Sequence, residues 1–199
     1  MSADSCPSGT GDTVYLGLFA NNTGTIKNLN VVGAISSSIT NKKTYAAGLV
    51  AVNNGSVLDC SSNVEIKIDG KMISNVGGIA GLGQALTNCT NSGNVTSTNR
   101  KVRLGGLAGQ GGGAISGCYV LNSTITLKNA SADSEVGGFA AYSNANISDS
   151  GFVGTVDNQS TTSTYTGGLV AAVRGKDNPT ISNTYLSVVL QAANADGKN

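Results

Sequence analysis

Apolar and polar residues alternate along much of this chain. Leu29, Val31, Gly33 and Ile35 stand two apart, as do Cys60, Ser62, Val64, Ile66 and Ile68, and again Thr184, Leu186, Val188 and Leu190. A period of two predicts strands with one buried face. No window sustains a period of 3.6 residues between helix caps, so no helix is expected. Polar, variable stretches separate the alternating runs: residues 41–43, 69–71, 99–101, 129–135 and 158–164. These read as loops.

A second pattern sets the scale. A glycine precedes a large apolar residue about every 30 residues, a period that signals stacked repeats. The marker glycines are Gly17, Gly48, Gly78, Gly106, Gly138 and Gly168. A landmark follows each marker: an aliphatic residue, any residue, then Asn, Asp or Gly, then Cys or another residue. It reads Ile26-Lys-Asn28-Leu29, Val57-Leu-Asp59-Cys60, Leu86-Thr-Asn88-Cys89, Ile115-Ser-Gly117-Cys118, Ile147-Ser-Asp149-Ser150 and Ile181-Ser-Asn183-Thr184. Asn, Asp and Gly tolerate left-handed backbone, so each landmark predicts a corner.

One unit of this size cannot close a core, whereas stacked units can. The expectation is an all-β parallel β-helix or β-solenoid with six rungs of about 30 residues, each holding about three short strands. Residues 14–190 form the repeat domain, 1–13 a leader and 191–199 a tail. An antiparallel sandwich is the runner-up. Each marker opens two apolar columns. Leu18, Leu49, Ile79, Leu107, Phe139 and Leu169 are the larger, expected to point inward. Phe19, Val50, Ala80, Ala108, Ala140 and Val170 then form an outer strip for lateral packing against another copy or domain.

Composition narrows the function. The 199 residues carry 12 Lys+Arg against 11 Asp+Glu, with no His and no Trp. A net charge of +1 offers no field for a nucleic acid backbone. The absence of His removes the commonest general base and metal ligand. No apolar run approaches the roughly 20 residues of a membrane-spanning helix. The polar opening Met1 to Cys6 has no signal-peptide pattern and reads as a segment excised from a longer secreted chain.

The candidate chemistry is sparse. Cys60, Cys89 and Cys118 are evenly spaced and should stack in one column. Three thiols without His make a poor zinc shell, so they read as a buried ladder, with Cys6 outside the repeats. Gly48, Gly78, Gly106, Gly138 and Gly168 complete the ladder positions. The run Gly109 to Gly113 lacks a phosphate-loop Lys and reads as a tight turn. Asp59 and Asp149 share a corner column three rungs apart, about 14 Å, too far for a glycosidase pair. Glu65, Asp69, Asp133 and Glu135 read as surface or loop acids, with 133–135 a minor calcium candidate. The outward column Ser36, Lys67, Thr96, Thr126, Asp157 and Gln191 is broken by charge, against an ice-binding face. No cofactor and no catalytic residue are expected.

The paired landmarks resemble the GLUG repeat. They stand here as Ala47-Gly-Leu-Val-Ala51 with Gly55-Ser-Val-Leu-Asp-Cys60, as Gly77-Gly-Ile-Ala-Gly81 with Leu86-Thr-Asn-Cys89, and as Gly105-Gly-Leu-Ala-Gly109 with Ile115-Ser-Gly-Cys118. The resemblance spans about residues 14–190. Leu29, Ser150 and Thr184 depart from the Cys, and Pro179 from the mid-repeat Gly. It implies an extracellular or cell-surface bacterial module, adhesive or structural, whose partner is a host protein, a glycan or adjacent domains of the same polypeptide. The alternative it implies is a non-catalytic accessory region of a secreted peptidase or polysaccharide-active enzyme.

Overall fold

Each rung carries four short strands rather than three. In the second rung they are Lys43–Ala47, Val50–Asn53, Ser56–Leu58 and Ser61–Gly70. The computed structural model describes residues 13–130, 133–162, 164–175 and 178–193, so Cys6 lies outside the described residues. Strands at equivalent positions pair in parallel with the next rung. The result is four sheets of six, six, six and seven strands. The fourth gains its extra strand because the third rung divides there into Thr90–Asn91 and Val95–Ser97. The described residues contain no helix. The fold is a β-solenoid of about six turns, and no helix among the described residues is long and apolar enough to cross a membrane.

The alternation acts as expected in the fourth sheet. Ser62, Val64, Ile66 and Ile68 are buried while Asn63, Glu65, Lys67 and Asp69 face solvent. The outward column pairs in the anticipated register, Ser36 to Lys67 to Thr96 to Thr126 to Asp157 to Gln191. The strand here runs to Ala192, past the repeat boundary expected at residue 190. Corners form where the landmark placed them. Asn28, Asp59, Asn88, Gly117, Asp149 and Asn183 all adopt φ between 50° and 62°. That left-handed region is costly for most side chains, which selects these residue types.

The outer apolar strip is corrected. Val50, Ala80, Ala108 and Ala140 are fully buried within the chain, alongside Leu49, Ile79, Leu107 and Phe139. The Gly-Leu pair is a bend rather than part of a strand, and alternation does not carry across a bend. Both columns therefore enter the core, and no strip remains for lateral packing. The first rung is also one residue short. Tyr15 pairs with Tyr45 but Phe19 pairs with Val50, so Gly17 fills the seat of Ala47 rather than that of Gly48.

Two close approaches explain the small residue three places after the marker glycine. A Cβ on Gly109 would sit 2.6 Å from Val76 N and 2.9 Å from Arg103 O; one on Gly81 would sit 3.0 Å from Asn75 O. The first and second sheets thus meet almost backbone to backbone across the bend, where only Gly or Ala fits. The marker glycines face the other way. A Cβ on Gly106 would lie 2.8 Å from Val120 Cγ1, and one on Gly138 would overlap Phe152 and the Gly168 carbonyl.

Candidate binding seam and thiol ladder

The three thiols occupy one corner column between the third and fourth sheets, each fully buried and unpaired. Each repeats one geometry. Cys60, Cys89 and Cys118 Sγ donate to the carbonyls of Leu58, Thr87 and Ser116, at 3.1, 3.2 and 3.3 Å. The N–H of Cys89 donates to Cys118 Sγ, and that of Cys118 to Ser150 Oγ. The column thus links rungs through side-chain acceptors, and Ser150 fills the seat of a thiol. Burial pushes the Cys60 thiol up. The neighbouring Cys89, then burial, pushes the Cys118 thiol up, while Cys118 beside it lowers Cys89. No group of His, Cys, Asp or Glu suited to a metal ion is found among the described residues.

A second arrangement escaped the sequence reading. Where the first and second sheets fold together, two columns meet across the bend. The first sheet contributes Asn75, Arg103 and Glu135, and the second Leu82, Gln110 and Tyr142. Glu135 is only 4% exposed, so it is not the surface or loop acid expected. Its carboxylate accepts from Arg103 Nε and from Arg174 Nη1, each at 2.9 Å. Arg103 Nη1 also donates to Gln110 Oε1 at 2.7 Å. The Arg103 guanidinium lies 4.9 Å from the centre of the Tyr142 ring, and Arg174 lies 5.8 Å from Tyr142 and 5.5 Å from Tyr165. These are cation–π distances.

Asp133, beside Glu135 in sequence, pairs instead with exposed Lys101 at 3.4 Å. The two acids thus meet separate cations, which removes the shared donor set that a calcium ion would need.

The seam is stiff inside and open outside. Glu135 fixes both guanidinium groups, while Arg174 and Tyr165 keep about half their surface in solvent. Two arginines against one carboxylate leave an uncompensated positive charge beside an exposed ring. Such a surface can hold an anionic or planar group by charge-assisted hydrogen bonds and stacking. The signal in the sequence was positional. Arg103, Glu135 and Tyr165 each stand three residues before a marker glycine, and Gln110 and Tyr142 four residues after one. Seeing them as one site requires knowing that the marker folds the chain back on itself. No protein-family model matches the chain, and comparison with curated proteins and with solved structures finds no match.

Proposed function

We propose that this solenoid is a structural and adhesive repeat module of a secreted or cell-surface bacterial protein, related to GLUG-repeat proteins. It acts without catalysis, presenting a rigid, weakly charged surface to a host protein, a glycan or a neighbouring domain. The observation that carries this reading is the seam. A buried carboxylate holds two arginines against two tyrosines on a frame that stacking makes rigid. Preorganised aromatic and guanidinium groups bind at low conformational cost.

The test is an array of glycans and extracellular matrix proteins. Binding to at least one class, lost in both Tyr165→Ala and Arg174→Ala, supports the reading. Absence of binding across the array overturns the adhesive part and leaves a spacer.

A further inference from the structure

We propose that the seam binds a linear saccharide carrying carboxylates, laid along the solenoid axis, with one acid group held by Arg103 and Arg174. The inference rests on reading the seam as a binding surface, and it names the class of ligand. Charge is the first argument. Glu135 alone answers both guanidinium groups, which leaves a single positive charge in surplus. Lys101, two residues before Arg103 on the same strand, is answered by Asp133 and adds nothing to it. The guanidinium donors are not used up. Arg103 gives Nε to Glu135 and Nη1 to Gln110, and Arg174 gives Nη1 to Glu135. Arg103 Nη2 and Arg174 Nε and Nη2 carry no hydrogen bond among the described residues, and both side chains reach solvent. Such a planar fork of N–H groups matches a carboxylate.

The surplus decides between anions. A phosphate ester carries about two charges at neutral pH, and a nucleic acid one at every step of each strand. Neither is balanced by one surplus cation on a chain of net charge +1. A carboxylate is. The carrier is then a peptide or a saccharide. Peptides are taken up by a free strand edge or by pockets for apolar side chains. The strand of Arg103 is already paired on both sides, with the strands of Asn75 and Glu135. The cavity beside Arg103, of about 250 Å³, is walled by Lys101 and Asp133 as well as Ile73 and Val102. What the seam offers instead is ring faces next to N–H donors. A pyranose acid has an apolar C–H face and a charged rim, so it uses both together.

The column gives the orientation. Tyr15, Tyr45, Asn75, Arg103, Glu135 and Tyr165 stand in register, one per rung. Tyr15 and Tyr45 stack with ring centres 5.7 Å apart. Rings therefore flank the charged centre on both sides, and Tyr45 and Tyr165 lie four rungs apart, about 19 Å. A polymer parallel to the axis meets Tyr45, the guanidinium pair and Tyr165 in turn. One laid across the axis meets a single rung. Linked contacts on a rigid frame add affinity with each unit engaged.

The experiment is calorimetric titration of the full chain with galacturonate and mannuronate oligomers of increasing length. The same oligomers, with their carboxyls reduced to alcohols, are the comparison. At least one acidic series should bind about tenfold tighter than its reduced form, the worth of a hydrogen bond to a charged group. That preference should shrink in high salt and vanish in Arg174→Gln. Affinity should rise with length until the oligomer spans the column, and the rise should be smaller in Tyr45→Ala. Circular dichroism melts check that both variants fold, and the comparison of acidic with reduced oligomers on the wild type needs no variant. Reduced oligomers that bind as tightly as acidic ones overturn the proposal. So does a preference that survives Arg174→Gln, an affinity blind to length, or a sulfated neutral oligomer that binds as well as the uronates. Binding of a neutral glycan or a matrix protein through Tyr165, with no binding of any uronate, removes this proposal and leaves the adhesive reading standing. Binding of no probe at all removes both.

Discussion

The backbone N–H of Cys89 donates to Cys118 Sγ at 3.3 Å, so the sulfur of one rung is the acceptor for the rung before it. The next step uses oxygen: Cys118 N–H donates to Ser150 Oγ at 3.1 Å, and Ser150 Oγ donates to the Ser148 carbonyl. Serine thus does at residue 150 what a thiol does at 118. Cys118→Ser should keep both bonds and cost about 1 kcal/mol from lost packing. Cys118→Ala leaves a buried N–H without its acceptor and should cost about 1–3 kcal/mol more. Urea denaturation of the two variants measures the difference. Equal midpoints would show that the sulfur is filler and not an acceptor.

The same column makes stability depend on alkaline pH. The folded pKa of Cys60 is raised by burial above its ordinary value of 9.0. The protonated thiol is therefore favoured by the fold. Its contribution is fully present below pH 9 and is lost as pH rises through the folded value. The wild type should lose more stability between pH 8.5 and about pH 10.5 than Cys60→Ser, which has no proton to lose there. Parallel urea midpoints against pH check this, and identical slopes would refute it. In a Cys6→Ser background, a thiol reagent should react with Cys60, Cys89 and Cys118 at neutral pH only as fast as the chain unfolds.

Glycines that look alike in the repeat differ sharply in tolerance. A Cβ on Gly138 would overlap both the Gly168 carbonyl and the Phe152 ring. Backbone cannot yield as a side-chain tip can, so Gly138→Ala should cost about 3 kcal/mol or more. Phe152→Leu should not rescue it, because the carbonyl remains. Gly24, in the first rung, has nothing closer than Asn22 Oδ1 at 4.0 Å. Gly24→Ala should be neutral or stabilise by about 0.4–1 kcal/mol through the unfolded chain. Thermal melts of the two variants give the contrast directly.

These glycines also show how far the sequence could be read. The corners were legible because left-handed backbone leaves a chemical mark, and all six seats hold Asn, Asp or Gly. The fourth sheet was legible because residues 61–70 alternate without a break. The burial of Val50, Ala80, Ala108 and Ala140 was not, because Gly48-Leu49 and its equivalents turn the chain between two strands. The offset of Gly17 was hidden for a related reason: a residue missing from a bend leaves the motif intact while shifting its register. The seam was least legible. Arg103 and Gln110 are seven residues apart, and nothing in their spacing places them 2.7 Å from each other until the two sheets are known to stack.

Glu135 is the residue on which the seam depends. Its side chain is 5% exposed, against 38% for Arg103 and 51% for Arg174. Glu135→Gln keeps the shape but removes the charge, leaving two guanidinium groups beside the Tyr142 ring without their shared counter-charge. A fully buried pair broken this way costs about 3–5 kcal/mol. Both arginines reach solvent, which screens the loss, so about 1–2 kcal/mol is expected here. Part of this should be recovered in Glu135→Gln with Arg103→Gln, which removes the uncompensated charge as well. A double-mutant cycle should therefore show coupling of at least about 0.5 kcal/mol. Raised salt should narrow the gap between Glu135→Gln and the wild type, since the screened quantity is repulsion. Additive costs that are blind to salt would mean that Glu135 matters by packing alone, and that the arginines hold their positions without it.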